Sequence, residues 1–224
     1  CFKISSSDIT NEPFIKYLCK FKKPIILSTG ASNLGEIKRA VKWIEEEKVK
    51  VAILHCILNY PTKDVNANLQ MIRSLVDSFP NNIIGYSDHT LPNDMFNLLI
   101  SATLGSKIIE KHFTLNKKLK GNDHYHSMDK NDLIKFNSNL KRLNLVIGTI
   151  GEKKILPSEK ISRKNARRSI VVIKDLAKGE KIKLSDISFK RPGTGIPPYM
   201  LRKVVNKKLK RNISKDQLLA FKYI

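Results

Sequence analysis

Five short apolar runs, each followed by a stretch of helical character, recur along the first two thirds of the chain. Residues 2–4 precede a helix over about 12–20, and 24–28 precede one over about 33–47. Residues 51–56 lead into 65–79, and 83–87 into 94–104. The fifth run, 107–113, leads through a long polar loop into a helix over 130–147. Runs that recur about every 22–30 residues have the spacing of βα units. Strands this continuously apolar suit a parallel sheet buried on both faces. Two architectures accommodate them. A (β/α)8 TIM barrel needs eight units, so three more are expected before Cys1. An open doubly wound sheet is the alternative, but no Gly-x-Gly-x-x-Gly turn supports its usual dinucleotide site. The reading is therefore a partial barrel of about five βα units.

The remaining bulk properties exclude several classes. With 224 residues, 41% of them hydrophobic, the chain has enough apolar material for a packed core. No apolar run approaches the roughly 18–20 residues of a membrane span. The opening Cys1-Phe2-Lys3-Ile4 is neither a signal peptide nor an initiation site, and a missing N-terminal part is expected. Cys1, Cys19 and Cys56 show no metal or disulfide spacing, which fits a reducing, cytoplasmic setting. Cys56 reads as a small buried hydrophobe. The net charge of +22 raises nucleic acid as a partner, yet the charge is spread along the chain and no nucleic-acid-binding signature accompanies it.

The composition changes near Thr149. Residues 150–224 hold 21 of the 42 Lys and Arg, 6 acidic residues and no His. Short strand-like runs with tight turns, at 168–172 and 187–193, mark a small β-rich domain. The expected division is a barrel domain over 1–149, a linker over 150–166 and the small domain over 167–224.

Candidate chemistry lies at the carboxyl ends of the runs, where parallel α/β proteins present reactive groups. His89 follows the fourth run and His112 ends the fifth. Two imidazoles delivered from different strands can hold one divalent metal. His55 lies inside a strand and reads as packing, with ligand contact as the lesser alternative, whereas His124 and His126 flank Tyr125 in a loop, where solvation is an equal reading. Lys3, Ser6, Ser28 and Ser87 lie at or near strand ends. An ammonium and three hydroxyls can converge on one phosphate, or they can serve ordinary turns. Gly30 allows close backbone approach to a ligand or simply makes a turn. Asn59-Tyr60-Pro61-Thr62 and Asp123 could meet a polyol or could be turn residues.

The series Leu27-Ser28-Thr29-Gly30, Leu54-His55-Cys56 with Tyr60-Pro61-Thr62, Gly85-Tyr86-Ser87-Asp88-His89-Thr90, Ile109-Glu110-Lys111-His112-Phe113-Thr114 and Gly121-Asn122-Asp123 closely resembles the sialic acid synthase family. Residues 166–195, from Ala166-Arg167-Arg168-Ser169 to Lys190-Arg191-Pro192-Gly193-Thr194-Gly195, resemble its antifreeze-like (SAF, β-clip) domain. The resemblance implies condensation of phosphoenolpyruvate with an N-acetylated amino sugar, N-acetylmannosamine, releasing phosphate. It implies that His89 and His112 bind a divalent metal, usually manganese, with magnesium or cobalt as substitutes. Lys3, Ser6, Ser28 and Ser87 match positions that hold phosphoenolpyruvate, and Tyr60 and Asp123 match acceptor contacts. Arg191 matches an arginine that meets the sugar N-acetyl group across a domain-swapped homodimer. The chain departs from the family pattern at Leu58, where many members are polar, and at Asp8, where some have Glu. Rival readings are a synthase of legionaminate or pseudaminate, a catalytically incomplete fragment that only binds, and a nucleic-acid binder.

Overall fold

Five parallel strands lie side by side in chain order: β1 (Phe2–Ile4), β2 (Ile25–Ser28), β3 (Val51–Cys56), β4 (Ile83–Asp88) and β5 (Ile108–Lys111). The order never reverses, so the switch point of a doubly wound sheet is absent. Parallel crossovers are right-handed almost without exception, which sends the helices of an unreversed order to one face. The sheet then curls about its other face as the wall of a partial barrel. One contact shows the curl directly. β1 and β5 are opposite edges, about 19 Å apart across a flat sheet. Lys3 Nζ on β1 nevertheless stands 3.3 Å from Glu110 Oε2 on β5.

The computed structural model describes residues 1–224 as two compact units, Cys1–Thr149 and Ile150–Ile224. In the first, alternation along the strands sorts residues to two faces. Ile4, Leu27, Ile53 and Ile84 are in register and belong to the core beneath the helices. The opposite parity lines the barrel interior, with Cys56, Ser87 and Glu110 in one row.

The helices begin where side chains can satisfy their free N–H groups. α1 (Glu12–Cys19) is capped by Asn11. α2 (Leu34–Glu46) opens with a reciprocal box between Asn33 and Glu36. The single helix expected over 65–79 is instead two, α3 (Asp64–Ala67) and α4 (Met71–Ser78). Asn68 between them adopts φ 45°, a left-handed conformation that no α-helix continues through. α5 (Phe96–Thr103) follows β4. α6 (Lys130–Ile147), boxed by Asp129 and Asp132, matches its expected bounds. No helix is long and apolar enough to cross a membrane.

The second unit has its own core, including Ile170, Val172, Ile182 and Leu219. Its residues 150–166 hold a 3-10 turn and α7 (Lys160–Ala166). β6 (Ser169–Val172) and β7 (Ile187–Lys190) pair antiparallel beyond them.

Candidate active site

The inward parity of the strands presents a polar row in an otherwise apolar barrel interior. Lys3 of β1, Ser28 of β2, Cys56 of β3, Ser87 of β4 and Glu110 of β5 all carry it. Ser28 Oγ is buried without a hydrogen-bond partner. Leaving a buried hydroxyl so costs about 1–3 kcal/mol, which a ligand oxygen would recover. Ser6, in the turn after β1, accepts from Gly30 N–H at 2.8 Å and donates to Cys56 Sγ at 3.6 Å. Gly30 is required by this closeness. A Cβ there would lie 2.9 Å from Ser6 Oγ and 3.1 Å from both Cys56 Sγ and Leu58 Cβ. Burial pushes the Cys56 thiol up, opposed by the Ser6 and Ser87 hydroxyls. It stays a neutral thiol rather than a nucleophile.

The histidines form one cluster beyond the strand ends. His89 follows β4 by one residue and His112 follows β5 by one, their ring centroids 5.2 Å apart. His89 Nδ1 donates to the Ile57 carbonyl at 2.8 Å, which leaves Nε2 as the lone-pair nitrogen. A metal-binding imidazole ordinarily has its other nitrogen tied in this way. Burial also holds His89 below its ordinary value, and His112 adds to the effect, so the ring is neutral near pH 7. The Tyr60 ring packs 4.0 Å from His89 and 5.7 Å from His112. Asp123 Oδ2 lies 3.8 Å from His112 Nδ1.

On the helix-facing side, the residue before each histidine is tied to the other. Asp88 accepts from Lys111 Nζ at 2.6 Å, both side chains almost wholly buried. Lys111 also donates to the Thr90 carbonyl at 2.7 Å, and Asp88 accepts from Tyr86 Oη at 2.8 Å and Thr90 N–H at 2.9 Å. The carboxylate thus accepts four hydrogen bonds, the fourth from Thr90 Oγ1 at 3.1 Å, and the ammonium makes two, the kind of satisfaction under which burial of charge is tolerated.

The structure places Lys3, Ser28 and Ser87 on the inward face of the sheet with Ser6 in the turn after β1, and brings Tyr60, His89, His112 and Asp123 into one cluster. Arg191 lies in the second unit, exposed, just after β7. His55 points to the helix side, donating to the Ala67 carbonyl at 2.9 Å and stacking on Tyr86. The solvated reading of His126 is corrected, since that ring is 1% exposed. His124 is tied to Thr114 Oγ1 at 2.8 Å. Sequence reasoning took Cys56 as plain core and passed over Glu110. For Glu110 parity was the available signal, because it lies two residues before His112, whereas Cys56 is placed only by its pairing with Ser87. A cavity of about 860 Å³ between α2 and α4 includes none of the residues singled out as ligand-binding.

Known proteins carry the same pattern. The NeuB family model matches residues 1–152, and the SAF domain model matches 167–222. An uncharacterised protein of Methanocaldococcus jannaschii is 41% identical over 97% of this chain and 64% of its own length. The N,N'-diacetyllegionaminic acid synthase of Legionella pneumophila is 36% identical over 99% of this chain and 63% of its own. The chain thus spans a little under two thirds of these relatives. A solved N-acetylneuraminic acid (sialic acid) synthetase from Leptospira borgpetersenii, in complex with citrate, superposes with a TM-score of 0.64 and 31% identity, over 71% of this chain and 55% of that one. Sheet order, motif series and these matches agree: the chain belongs to the NeuB family and carries a SAF domain.

Proposed function

We propose that the chain carries the donor- and metal-binding part of a nonulosonic acid synthase, which condenses phosphoenolpyruvate with an N-acetylated amino sugar and releases phosphate. The observation that carries this reading is the juxtaposition, on one sheet, of an inward face bearing a cation and hydroxyls with a histidine cluster just past the strand ends. An anionic donor fits the first and a divalent cation fits the second.

Each group then has a task. The Lys3 ammonium and the hydroxyls of Ser6, Ser28 and Ser87 donate to phosphate and carboxylate oxygens. They hold the donor so that its C3 faces the aldehyde carbon of the open-chain sugar. Tyr60 and Asp123 hydrogen-bond the sugar hydroxyls. The C3–carbon bond forms, water adds at C2, and the C2–O bond to phosphate breaks. His89, through Nε2, and His112 would hold the divalent cation, manganese in this reading, with magnesium or cobalt as substitutes. When bound, it supplies Lewis acidity toward the aldehyde oxygen. Arg191 would meet the N-acetyl group in a domain-swapped homodimer, and the setting is cytoplasmic.

The acceptor in this reading is N-acetylmannosamine. The 36% identity to a legionaminic acid synthase favours a second acceptor, a diacetylated six-deoxy sugar. The partial span of the relatives favours a further reading in which the chain binds donor and metal without turnover. One assay separates them: phosphate release from phosphoenolpyruvate with manganese, with each sugar and with none. Release that needs sugar and metal, and vanishes in His89→Ala and His112→Ala, is expected. Calorimetric binding of phosphoenolpyruvate with no release from either sugar supports the binding-only reading. Absence of both release and binding overturns the proposal.

A further inference from the structure

His126 is buried at the histidine cluster yet bonded to nothing. It is 1% exposed, and neither Nδ1 nor Nε2 has a hydrogen-bond partner. Imidazole always carries at least one N–H and one further polar nitrogen, so burial without partners is unfavourable. The position is nonetheless firmly built. The loop after β5 returns on itself, with Met128 N–H donating to the His112 carbonyl at 2.9 Å and Thr114 N–H to the Met128 carbonyl at 2.8 Å. Ser127 Oγ donates to the Asp123 carbonyl at 2.6 Å. Gly121, at φ 137°, allows the reversal. These bonds set Asp123 and His126 on one turn, facing His112.

The donors already stand close. His112 Nδ1 is 3.8 Å from Asp123 Oδ2, and His126 Nε2 is 3.9 Å from Asp123 Oδ1. One ligand atom from each of the three residues falls within 4.8 Å of the others. Donors about 2.1 Å from one cation stand about 3–4 Å apart. Small side-chain rotations close this gap, and Asp123 is exposed enough to make them.

We propose that His126 is a protein ligand of the divalent cation, adding with Asp123 to the imidazoles of His89 and His112 and making a set of three imidazoles and one carboxylate. The proposal rests on the metal-binding reading of the His89 and His112 cluster and goes further by adding a ligand from the loop. Three nitrogens and one oxygen still leave open positions in a six-coordinate site for substrate oxygens, and such a set suits manganese or iron(II) better than calcium. It also gives Asp123 a metal-facing role beside its contact with the sugar.

The test is calorimetric titration of the full chain with manganese chloride, backed by the electron paramagnetic resonance signal of free manganese. His126→Ala and His126→Gln are compared with the unaltered chain, each checked for folding by circular dichroism. The expected result is a rise in Kd of tenfold or more in the variants that fold. Without metal, His126→Phe is expected to raise the melting temperature, because an unpaired buried ring becomes an apolar one. An unaltered chain that binds manganese while folded His126 variants bind within twofold overturns the role of His126 alone. An unaltered chain that binds no manganese overturns the metal reading as a whole.

Discussion

Asp88 and Lys111 lie on adjacent strands, and their 2.6 Å ion pair joins the residues that directly precede His89 and His112. The pair faces the helices while the histidines project from the next position, so the spacing of the two rings depends on a bond made on the opposite side of the sheet. Removing one partner strands a buried charge. Lys111→Met is therefore expected to cost about 3–5 kcal/mol of stability, read as a shift in the urea midpoint. The double variant Asp88→Leu with Lys111→Met should recover much of that loss. A single variant within 1 kcal/mol of the parent, on the order of a surface pair, would show that the bond carries little.

Glycines on the inward row have no room for a side chain. A Cβ at Gly85 would lie 2.4 Å from Leu54 Cδ2 and 2.5 Å from the Ile108 carbonyl oxygen, and backbone cannot move aside as a side chain can. Gly85→Ala should destabilise by about 1–3 kcal/mol or more. Gly151→Ala, where nothing lies within 4 Å, is the control and should leave the melting temperature unchanged.

Tyr60 has two separable parts, a ring packed on His89 and an exposed hydroxyl end. Tyr60→Phe keeps the ring and should leave manganese affinity within about twofold, while raising KM for the sugar. Tyr60→Ala removes the packing, so both should worsen. Equal manganese affinity in Tyr60→Ala would mean that the ring does not hold His89 in place.

Acid should weaken the fold through buried imidazoles. Burial holds His55 below its ordinary value, partly offset by its bond to the Ala67 carbonyl, and burial holds His89 and His126 down as well. Between those lowered values and the unfolded value of about 6.5, the unfolded chain binds more protons. Stability therefore falls as pH drops through about 6.5 and is insensitive to these groups above it. Urea midpoints at several pH values should show this slope in metal-free protein, and His55→Gln should make it shallower. An unchanged slope in that variant would remove His55 from the account.

Much of the architecture was legible in the chain. Apolar runs at βα spacing marked five parallel strands, and the residues just past them marked His89 and His112. The helix starts expected near 33 and 130 agree with the structure, where Asn33 with Glu36 and Asp129 with Asp132 cap them by local bonds. The break at Asn68 was not legible, since the periodicity of 65–79 continues across it and only the backbone angle interrupts it.

Local periodicity and capping were thus determined by the sequence itself, because they involve residues a few positions apart. The tertiary structure decided which face each residue took and which distant residues it met. β3 is buried along its whole length, so no polar alternation tells His55 from Cys56. Register with Ser87 and Glu110 turns Cys56 into the barrel and His55 out to the helices. The bond from Lys3 to Glu110 exists only because the sheet curls. His126 is buried only because the loop after β5 closes back on His112. These are relations between strands and loops far apart in the chain, set by the packing of the whole sheet rather than by any single stretch of sequence.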